Sequence, residues 1–156
     1  MEPDSKMSDP EAAVRIAIRE TMATYAIALD DGDFESLANT FAEDGVFEVR
    51  SGLFRGRGVI QRALAERRKQ RIANKASGVF QRHNLTTSQI SVSNTAAATS
   101  ITYFLVVTEL GLDHSGRYFD SFIKVDDRWL ISNRRSQIDW MHEQSRFRVN
   151  TGTASF

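Results

Sequence analysis

Three histidines are the side chains best suited to catalysis in this chain of 156 residues. His83, His114 and His142 occur among 20 acidic and 20 basic side chains, and the chain contains no cysteine. Because the unperturbed imidazole titrates near neutral pH, histidine is a common proton donor and acceptor in enzymes. The lack of cysteine excludes disulfides, thiolate nucleophiles, iron–sulfur clusters and cysteine-ligated zinc. Nothing in the spacing of the three histidines favours a metal site, so no metal is predicted.

The overall composition disfavours nucleic acid and membranes as partners. The length fits one compact domain, in which 41% of the residues are hydrophobic and 26% are charged. A formal net charge of zero argues against nucleic-acid or anionic-membrane partners, since both attract a basic excess. No apolar run approaches the roughly 20 residues that span a bilayer, and residues 1–10 lack the features of a signal peptide. The sequence therefore predicts a cytoplasmic protein.

The N-terminal part of the chain has the periodicity of a long helix. Asp9 and Pro10 suit the N-cap and the first helical position. The predicted buried stripe consists of Val14, Ile18, Met22, Tyr25 and Leu29. The segment Asp30-Asp31-Gly32 suits the end of the helix, since glycine adopts the left-handed conformation that often follows a last turn.

Three shorter elements are predicted after the first helix. Asp33 suits the cap of a second helix that carries Phe41, and a turn at 43–45 precedes a strand at 46–49. A third helix is predicted from residue 60 to residue 71. Its basic residues are Arg67, Arg68, Lys69 and Arg71. We predict that they face solvent rather than bind an anion, because the region lacks interleaved aromatic residues.

From residue 79 onward the hydrophobic period changes to two, which is typical of strands. The predicted strands are 79–92, 96–109, 115–126 and 128–140. Their short connections favour antiparallel hairpins. Helices followed by a long meander predict an α+β fold with the helices on one face of a curved sheet. The predicted organisation is a tail at 1–9, a single domain at 10–142 and a C-terminal segment at 143–156.

Alternation along the third long strand predicts which residues face the core. The apolar-to-small set consists of Phe119, Ser121, Ile123 and Val125. If this set faces inward, Ser115 and Arg117 share the inward face with it. Tyr118 and Phe122 then fall on the outer face, where they would form an apolar contact surface for another subunit. The sequence thus predicts a homo-oligomer, either a dimer or a trimer.

Three segments of the chain carry a resemblance to a known family. Residues 25–37 (YAIALDDGDFESL) resemble the first-helix motif of SnoaL-like proteins, and Arg82-His83-Asn84-Leu85 and residues 116–131 match later strands of the same proteins. Two further matches, at 114–117 and 137–140, are most similar to scytalone dehydratase-like proteins of the nuclear transport factor 2-like superfamily. The resemblance implies a cone-shaped, cystatin-like fold, in which N-terminal helices pack on a strongly curved, mixed and mostly antiparallel sheet around an apolar pocket.

The resemblance implies that Asp30 and His83 form a catalytic pair. An aspartate that binds one ring nitrogen fixes the histidine tautomer and stabilises the imidazolium that forms when the other nitrogen takes a proton. Such a pair requires no cofactor. It implies a dehydratase-like lyase that eliminates across a carbon–oxygen or carbon–halogen bond of a hydrophobic cyclic or aromatic small molecule.

The pocket predicted from the sequence has six substrate-binding residues. They are Tyr25, Val49, Ser115, Arg117, Phe119 and Arg135. His114 is a weaker candidate at the pocket mouth. Leu29 and Val49 stand where scytalone dehydratase has tyrosines, Arg117 stands where it has an asparagine, and the strand at 104–110 lacks its second histidine. Scytalone itself is therefore not the expected substrate.

Several functions other than a lyase stay open at this point. The same pair would serve a polyketide-cyclase or isomerase-like enzyme, and a vestigial pocket would leave a non-catalytic small-molecule binding or oligomerisation domain. The small subunit of a ring-hydroxylating dioxygenase shares the fold but would need an iron-bearing partner. Catalysis by the pair distinguishes the enzymes from the binding domain.

Overall fold

Three helices pack against one six-stranded sheet in the computed structural model, which describes residues 10–73, 80–145 and 147–148. The helices are α1 (Pro10–Asp31), α2 (Phe34–Ala38) and α3 (Arg57–Ala73). The strands are β1 (Phe41–Val49), β2 (Gly52–Arg55), β3 (Arg82–Asn94), β4 (Ala97–Thr108), β5 (Gly111–Val125) and β6 (Arg128–Met141). The predicted tail at 1–9 lies outside the described residues, as does most of the predicted segment at 143–156. Among the described residues, no helix combines the length and the apolar composition needed to cross a membrane.

The order of the strands confirms the predicted α+β fold. From one edge of the sheet to the other the order is β2-β1-β6-β5-β4-β3. Strands β3 to β6 form the predicted antiparallel meander, while β1 lies parallel to β6, so the sheet is mixed and mostly antiparallel. The turn from β5 to β6 consists of Asp126 and Asp127, whose φ angles are 46° and 63°. Two consecutive left-handed residues give a tight turn whose twist matches that of the paired strands.

The ends of α1 and α2 follow the predicted turn chemistry. Ile18, Met22 and Tyr25 are buried along α1, as the predicted stripe requires. Gly32 follows the helix with a φ of 76°, a conformation that glycine adopts without steric strain. Asp33 caps α2 as predicted, since its side chain accepts a hydrogen bond of 3.0 Å from the backbone N–H of Ser36. The local sequence therefore places Asp30 at the last turn of α1.

Strand β1 begins earlier than predicted and replaces the predicted turn at 43–45. Phe41, predicted as part of the second helix, is the first residue of β1. The register between β1 and β6 shifts between Phe41 and Val46, which is the signature of a bulge. Glu43 and Asp44 are exposed within this bulge, so an acidic segment typical of a turn remains part of the strand.

The predicted faces of β5 were wrong. From residue 115 onward the buried residues are Gly116, Tyr118, Asp120 and Phe122, and the set that includes Phe119 lies on the outer face. Tyr118 and Phe122 are 3% and 1% exposed in the core, so they do not form an outer contact surface. The prediction failed because Asp120 was taken as a surface residue, whereas it is buried as an ion pair with Arg134 of β6.

A buried cation occupies the centre of the core. The guanidinium of Arg134 donates two hydrogen bonds to the Asp120 carboxylate, at 2.8 and 2.7 Å, and both side chains are fully buried. Its Cζ atom lies 4.1 Å from the ring centroids of both Tyr25 and Tyr118. Burial alone would lower the pKa of Arg134. The Asp120 carboxylate and the two tyrosines oppose this effect, so the net shift of the pKa is upward. Burial also raises the pKa of both tyrosines, which are therefore neutral phenols at pH 7.

Replacement of Gly116 by alanine is expected to lower the free energy of unfolding by about 2 kcal/mol. An added Cβ would lie 2.1 Å from the carbonyl oxygen of Gln137 and 2.8 Å from Cζ of Phe104, so the sheet would have to shift. Urea unfolding measures the change. Gly58→Ala is the matched control, because its nearest contact would be 3.4 Å, to Arg62 Nη1. Equal unfolding free energies for the two variants would show that Gly116 is not a close-packing position.

Candidate active site

Asp30 and His83, the predicted pair, are in direct contact. The Asp30 carboxylate accepts two hydrogen bonds from His83, one from the backbone N–H at 2.8 Å and one from the ring Nδ1 at 2.6 Å. The exposed fractions of the two side chains are 6% for Asp30 and 7% for His83. A carboxylate bound to Nδ1 fixes the tautomer, so Nε2 is the ring nitrogen left to take a proton.

The end of α1 holds Asp30 in place through contacts with α3 and with the start of β3. The Arg68 guanidinium donates from Nη1 to the backbone carbonyls of Leu29, at 3.2 Å, and of Asp30, at 3.0 Å. Gln81, which is buried, donates from Nε2 to the Leu29 carbonyl at 3.1 Å. Carbonyls in the last turn of a helix lack partners within the helix. Arg68 and Gln81 supply these partners and so fix the backbone that carries the Asp30 carboxylate.

A second buried aspartate–histidine pair lies beside the first. Asp113 accepts a hydrogen bond of 2.7 Å from Nδ1 of His114, and the exposed fractions of the two residues are 1% and 5%. The same Asp113 oxygen accepts a hydrogen bond of 2.6 Å from the hydroxyl of Ser145. The rings of His83 and His114 are perpendicular, with centroids 6.5 Å apart. Two imidazoles, each with its own carboxylate, therefore face the same region of the inner sheet face.

Burial determines the protonation state of His114. Burial lowers the pKa of His114 below its ordinary value of 6.5, and this exceeds the upward effect of Asp113. The positive charge of Arg71 lowers the pKa further. His114 is therefore a neutral imidazole at pH 7, and with Nδ1–H directed at Asp113 its Nε2 is a hydrogen-bond acceptor.

The chain after β6 packs against the second pair. Ser145 is buried, and the ring of Phe147 lies 4.8 Å from the ring of His114, centroid to centroid. Cζ of Arg71 lies 4.7 Å from the centroid of the same Phe147 ring. The segment predicted to begin at residue 143 thus contributes an aromatic side chain to the region of the two histidines.

The six predicted substrate-binding residues divide between the two sheet faces. Ser115, Arg117 and Phe119 lie on the outer face of β5, opposite to the face that was predicted. Arg117 is bound there by Asp139, whose carboxylate accepts hydrogen bonds of 2.9 and 3.0 Å from Nε and Nη2. This ion pair raises the pKa of Arg117 and lowers that of Asp139. Arg117 therefore does not join Asp30 and His83.

Arg135 also lies on the outer face, with its Cζ 4.1 Å from the centroid of the Phe119 ring. Both residues line an outer groove of about 360 Å³, together with Glu48 and Ile101. Adjacent residues of a strand point to opposite faces, and it is Arg134 that is buried. Arg135 pairs with Phe119 across β5 and β6, so it shares the outer face with Phe119 and does not lie in the predicted inner pocket.

Tyr25 and Val49 lie on the inner side. Tyr25 is 1% exposed, and its ring makes edge contacts with Phe41, Phe47 and Tyr118 at centroid distances of 6.0 to 6.4 Å. These contacts identify Tyr25 as a core residue. Val49, at the end of β1, is partly buried against the same core.

Two features of this region were missed by reasoning from the sequence. The adjacent Asp113 and His114 could have indicated a pair. However, the third long strand was predicted to begin at residue 115, so both residues were placed in a connection, whereas they belong to β5. The pair Asp120 and Arg134 was missed because its members are 14 positions apart and on different strands. Among the described residues, no group of three or more histidine and carboxylate side chains is arranged to hold a metal ion.

Helices packed on a mixed sheet, with an aspartate–histidine pair on the covered face, define a small α+β domain of cone type. The chain belongs to the SnoaL-like domain family, whose sequence profile matches residues 10–135. No curated protein matches the chain by sequence.

Solved structures confirm the fold. A Nostoc punctiforme protein described as having a cystatin-like fold is 23% identical, with a TM-score of 0.68 over 80% of this chain and 90% of that one. A protein named as a candidate scytalone dehydratase from Novosphingobium aromaticivorans is 21% identical, with a TM-score of 0.74 over 96% and 100%. A hexachlorocyclohexane dehydrochlorinase from Novosphingobium barchaimii is 15% identical, with a TM-score of 0.69 over 85% and 91%.

Proposed function

We propose that this protein is a cofactor-independent lyase that uses Asp30 and His83 to act on a hydrophobic cyclic or aromatic small molecule. The observation that carries the proposal is the buried Asp30 carboxylate, which binds both the backbone N–H and Nδ1 of His83. This arrangement leaves Nε2 as a base of fixed orientation. The dehydratase and dehydrochlorinase named among the structural neighbours support an elimination as the reaction class.

The elimination transfers one proton and breaks two bonds of the substrate. Nε2 of His83 takes a proton from carbon, and the electron pair of that C–H bond forms a carbon–carbon double bond. The neighbouring carbon–oxygen or carbon–halogen bond breaks at the same time or in a following step. A hydroxyl leaves as water after His83 transfers this proton to it, whereas a halide leaves as the anion and His83 afterwards releases the proton to solvent. Asp30 stabilises the imidazolium between these two transfers.

His114 would orient the substrate through a hydrogen bond. As a neutral imidazole it accepts a hydrogen bond at Nε2, and its ring centroid lies 6.5 Å from that of His83. A substrate hydroxyl or a departing water is a suitable donor to this nitrogen. His114 thereby orients a substrate hydroxyl relative to the base, His83.

Deuterium exchange tests the reaction class without knowledge of the natural substrate. The protein is incubated in deuterium oxide with cyclic and aromatic β-hydroxy ketones, and proton NMR follows both the α-proton and any vinyl proton. Loss of the α-proton together with a new vinyl signal is the expected result. Exchange without elimination would identify the polyketide-cyclase or isomerase-like alternative. Binding without exchange for every compound would identify a non-catalytic binding domain.

We also propose that the chain forms a homo-oligomer through the outer face of the sheet. That face exposes Ile101, Tyr103 and Leu105 of β4 and Trp140 of β6, in place of the predicted Tyr118 and Phe122. Neighbouring exposed apolar side chains favour association. Light scattering at micromolar concentration is expected to give the mass of a dimer or a trimer, and a monomer mass would contradict the proposal. The cytoplasmic location stays a prediction from the sequence.

A further inference from the structure

The sequence predicted that the basic cluster of α3 faces solvent, but its three arginines, Arg67, Arg68 and Arg71, are half-buried. Ile60 and Leu64 are the buried residues of this helix, and Arg67, Arg68 and Arg71 are half-buried at the following positions of the same face. Residues that are three and four positions apart share one face of a helix. The basic cluster therefore continues the inward stripe of α3 toward the two histidine pairs.

The three arginines differ in what they bind. Arg68 is occupied by the backbone carbonyls at the end of α1. Arg67 donates from Nη2 to the hydroxyl of Ser51, and its Cζ lies 5.0 Å from the centroid of the Phe54 ring. Arg71 stacks on the ring of Phe147. Stacking uses the face of the guanidinium plane and leaves N–H groups at its edge available to bind an acceptor.

Arg67 and Arg71 have no counter-ion within the part of the chain that the structure describes. None of the ion pairs of the described residues includes either arginine. Burial lowers the pKa of both guanidinium groups. Two half-buried cations that have no anion among the described residues are the arrangement expected of a site that binds one.

Arg71 lies beside the candidate active site, and Arg67 is one turn of α3 before it. Both Arg71 and His114 contact the Phe147 ring. The charge of Arg71 acts on His114, and the charge of Arg67 acts on the hydroxyl of Tyr25. An anion held between the two guanidinium groups would therefore lie close to a molecule bound at His83 and His114.

We propose that Arg67 and Arg71 bind a carboxylate group of the substrate, so that the site takes a hydrophobic molecule that carries one carboxylate. This inference rests on the proposed function only in assigning the anion to the substrate. The planar donor edges of two arginines one helical turn apart suit the two oxygens of a carboxylate. The apolar part of the molecule would then extend toward the histidine pairs.

Binding of cinnamate and of its neutral analogue cinnamamide tests this site. Both are flat aromatic compounds that differ in one charge, and calorimetry or NMR titration of the full chain measures their affinities. The wild-type protein is expected to bind cinnamate about tenfold more tightly than cinnamamide. The reason is that a hydrogen bond from arginine to a carboxylate stabilises a complex more than one to a neutral amide. Arg67→Gln and Arg71→Gln are each expected to weaken cinnamate binding about tenfold and to leave cinnamamide binding unchanged.

Arg62→Gln is the matched control, because Arg62 is exposed on the same helix. It is expected to leave both affinities unchanged. Salt dependence of the wild-type protein provides a measurement that requires no variant: added salt should weaken cinnamate binding and spare cinnamamide. Equal affinities for the two compounds, no measurable binding of cinnamate, or equal effects of Arg62→Gln and Arg71→Gln would overturn the proposal. A protein that prefers cinnamate but gives no deuterium exchange with any β-hydroxy ketone would retain the carboxylate site and reject the lyase.

Discussion

Replacement of His83 by glutamine is expected to lower kcat for exchange or elimination about a thousandfold. Glutamine approximates the length of histidine and can still donate a hydrogen bond to Asp30, but it cannot take a proton at neutral pH. The structure makes His83 the member of the pair whose Nε2 is left for the substrate, since Nδ1 is 2.6 Å from the Asp30 carboxylate. Deuterium exchange into the α-position of an accepted ketone measures the loss.

Two further variants separate catalysis by the pair from general damage to the fold. Asp30→Asn should also lower kcat about a thousandfold, because an amide does not fix the tautomer of His83 or stabilise its imidazolium. His142→Gln, which changes the histidine outside both pairs, should leave kcat unchanged. Unfolding by urea shows whether the variants are folded. A folded His83→Gln protein with wild-type turnover would exclude His83 as the base.

Replacement of Asp120 by asparagine is expected to lower the free energy of unfolding by about 3–5 kcal/mol. The variant leaves the guanidinium of Arg134 charged and buried between the rings of Tyr25 and Tyr118, without the carboxylate that binds its Nε and Nη2. Within the described residues, Nη1 of Arg134 already lacks a hydrogen-bond partner. Urea unfolding of the variant and the wild-type protein measures the difference.

The double variant Asp120→Leu with Arg134→Met provides the control for charge. It removes both ions and fills their space with apolar side chains, so its unfolding free energy should lie close to that of the wild-type protein. A large loss in the single variant and its recovery in the double variant would show that the unpaired charge, rather than the change of shape, is destabilising. An Asp120→Asn protein as stable as the wild type would contradict the ion pair as a necessary element of the core.

Much of the fold follows from patterns that are local in the sequence. The stripe through Ile18, Met22 and Tyr25 predicted α1, and Asp30 to Asp33 predicted where α1 ends and α2 begins. The period of two after residue 79 predicted the four long strands and their antiparallel pairing. Such patterns depend on residues a few positions apart, so they can be recognised without knowledge of the tertiary contacts.

The faces of β5 could not be predicted from the alternation of its residues. The bulges between Ser115 and Gly116 and between Ser121 and Phe122, relative to β6, depend on the partner strand. A charged residue is not expected on the inward face of a strand unless a buried partner neutralises it. For Asp120 that partner is Arg134, which lies on another strand. The same limitation led to the misplacement of Arg117 on the inner face.

The three histidines and the lack of cysteine are fixed by the sequence alone, and they supply imidazoles for proton transfer and exclude thiolate chemistry. The sequence also placed Asp30 at a helix end and His83 on a strand. Only the tertiary structure decided that a second pair, Asp113 and His114, lies beside the first, and that Arg71 and His114 both contact the Phe147 ring. The physical reason is that a buried charged or polar group is stabilised by partners that are distant in the chain, and no local pattern identifies those partners.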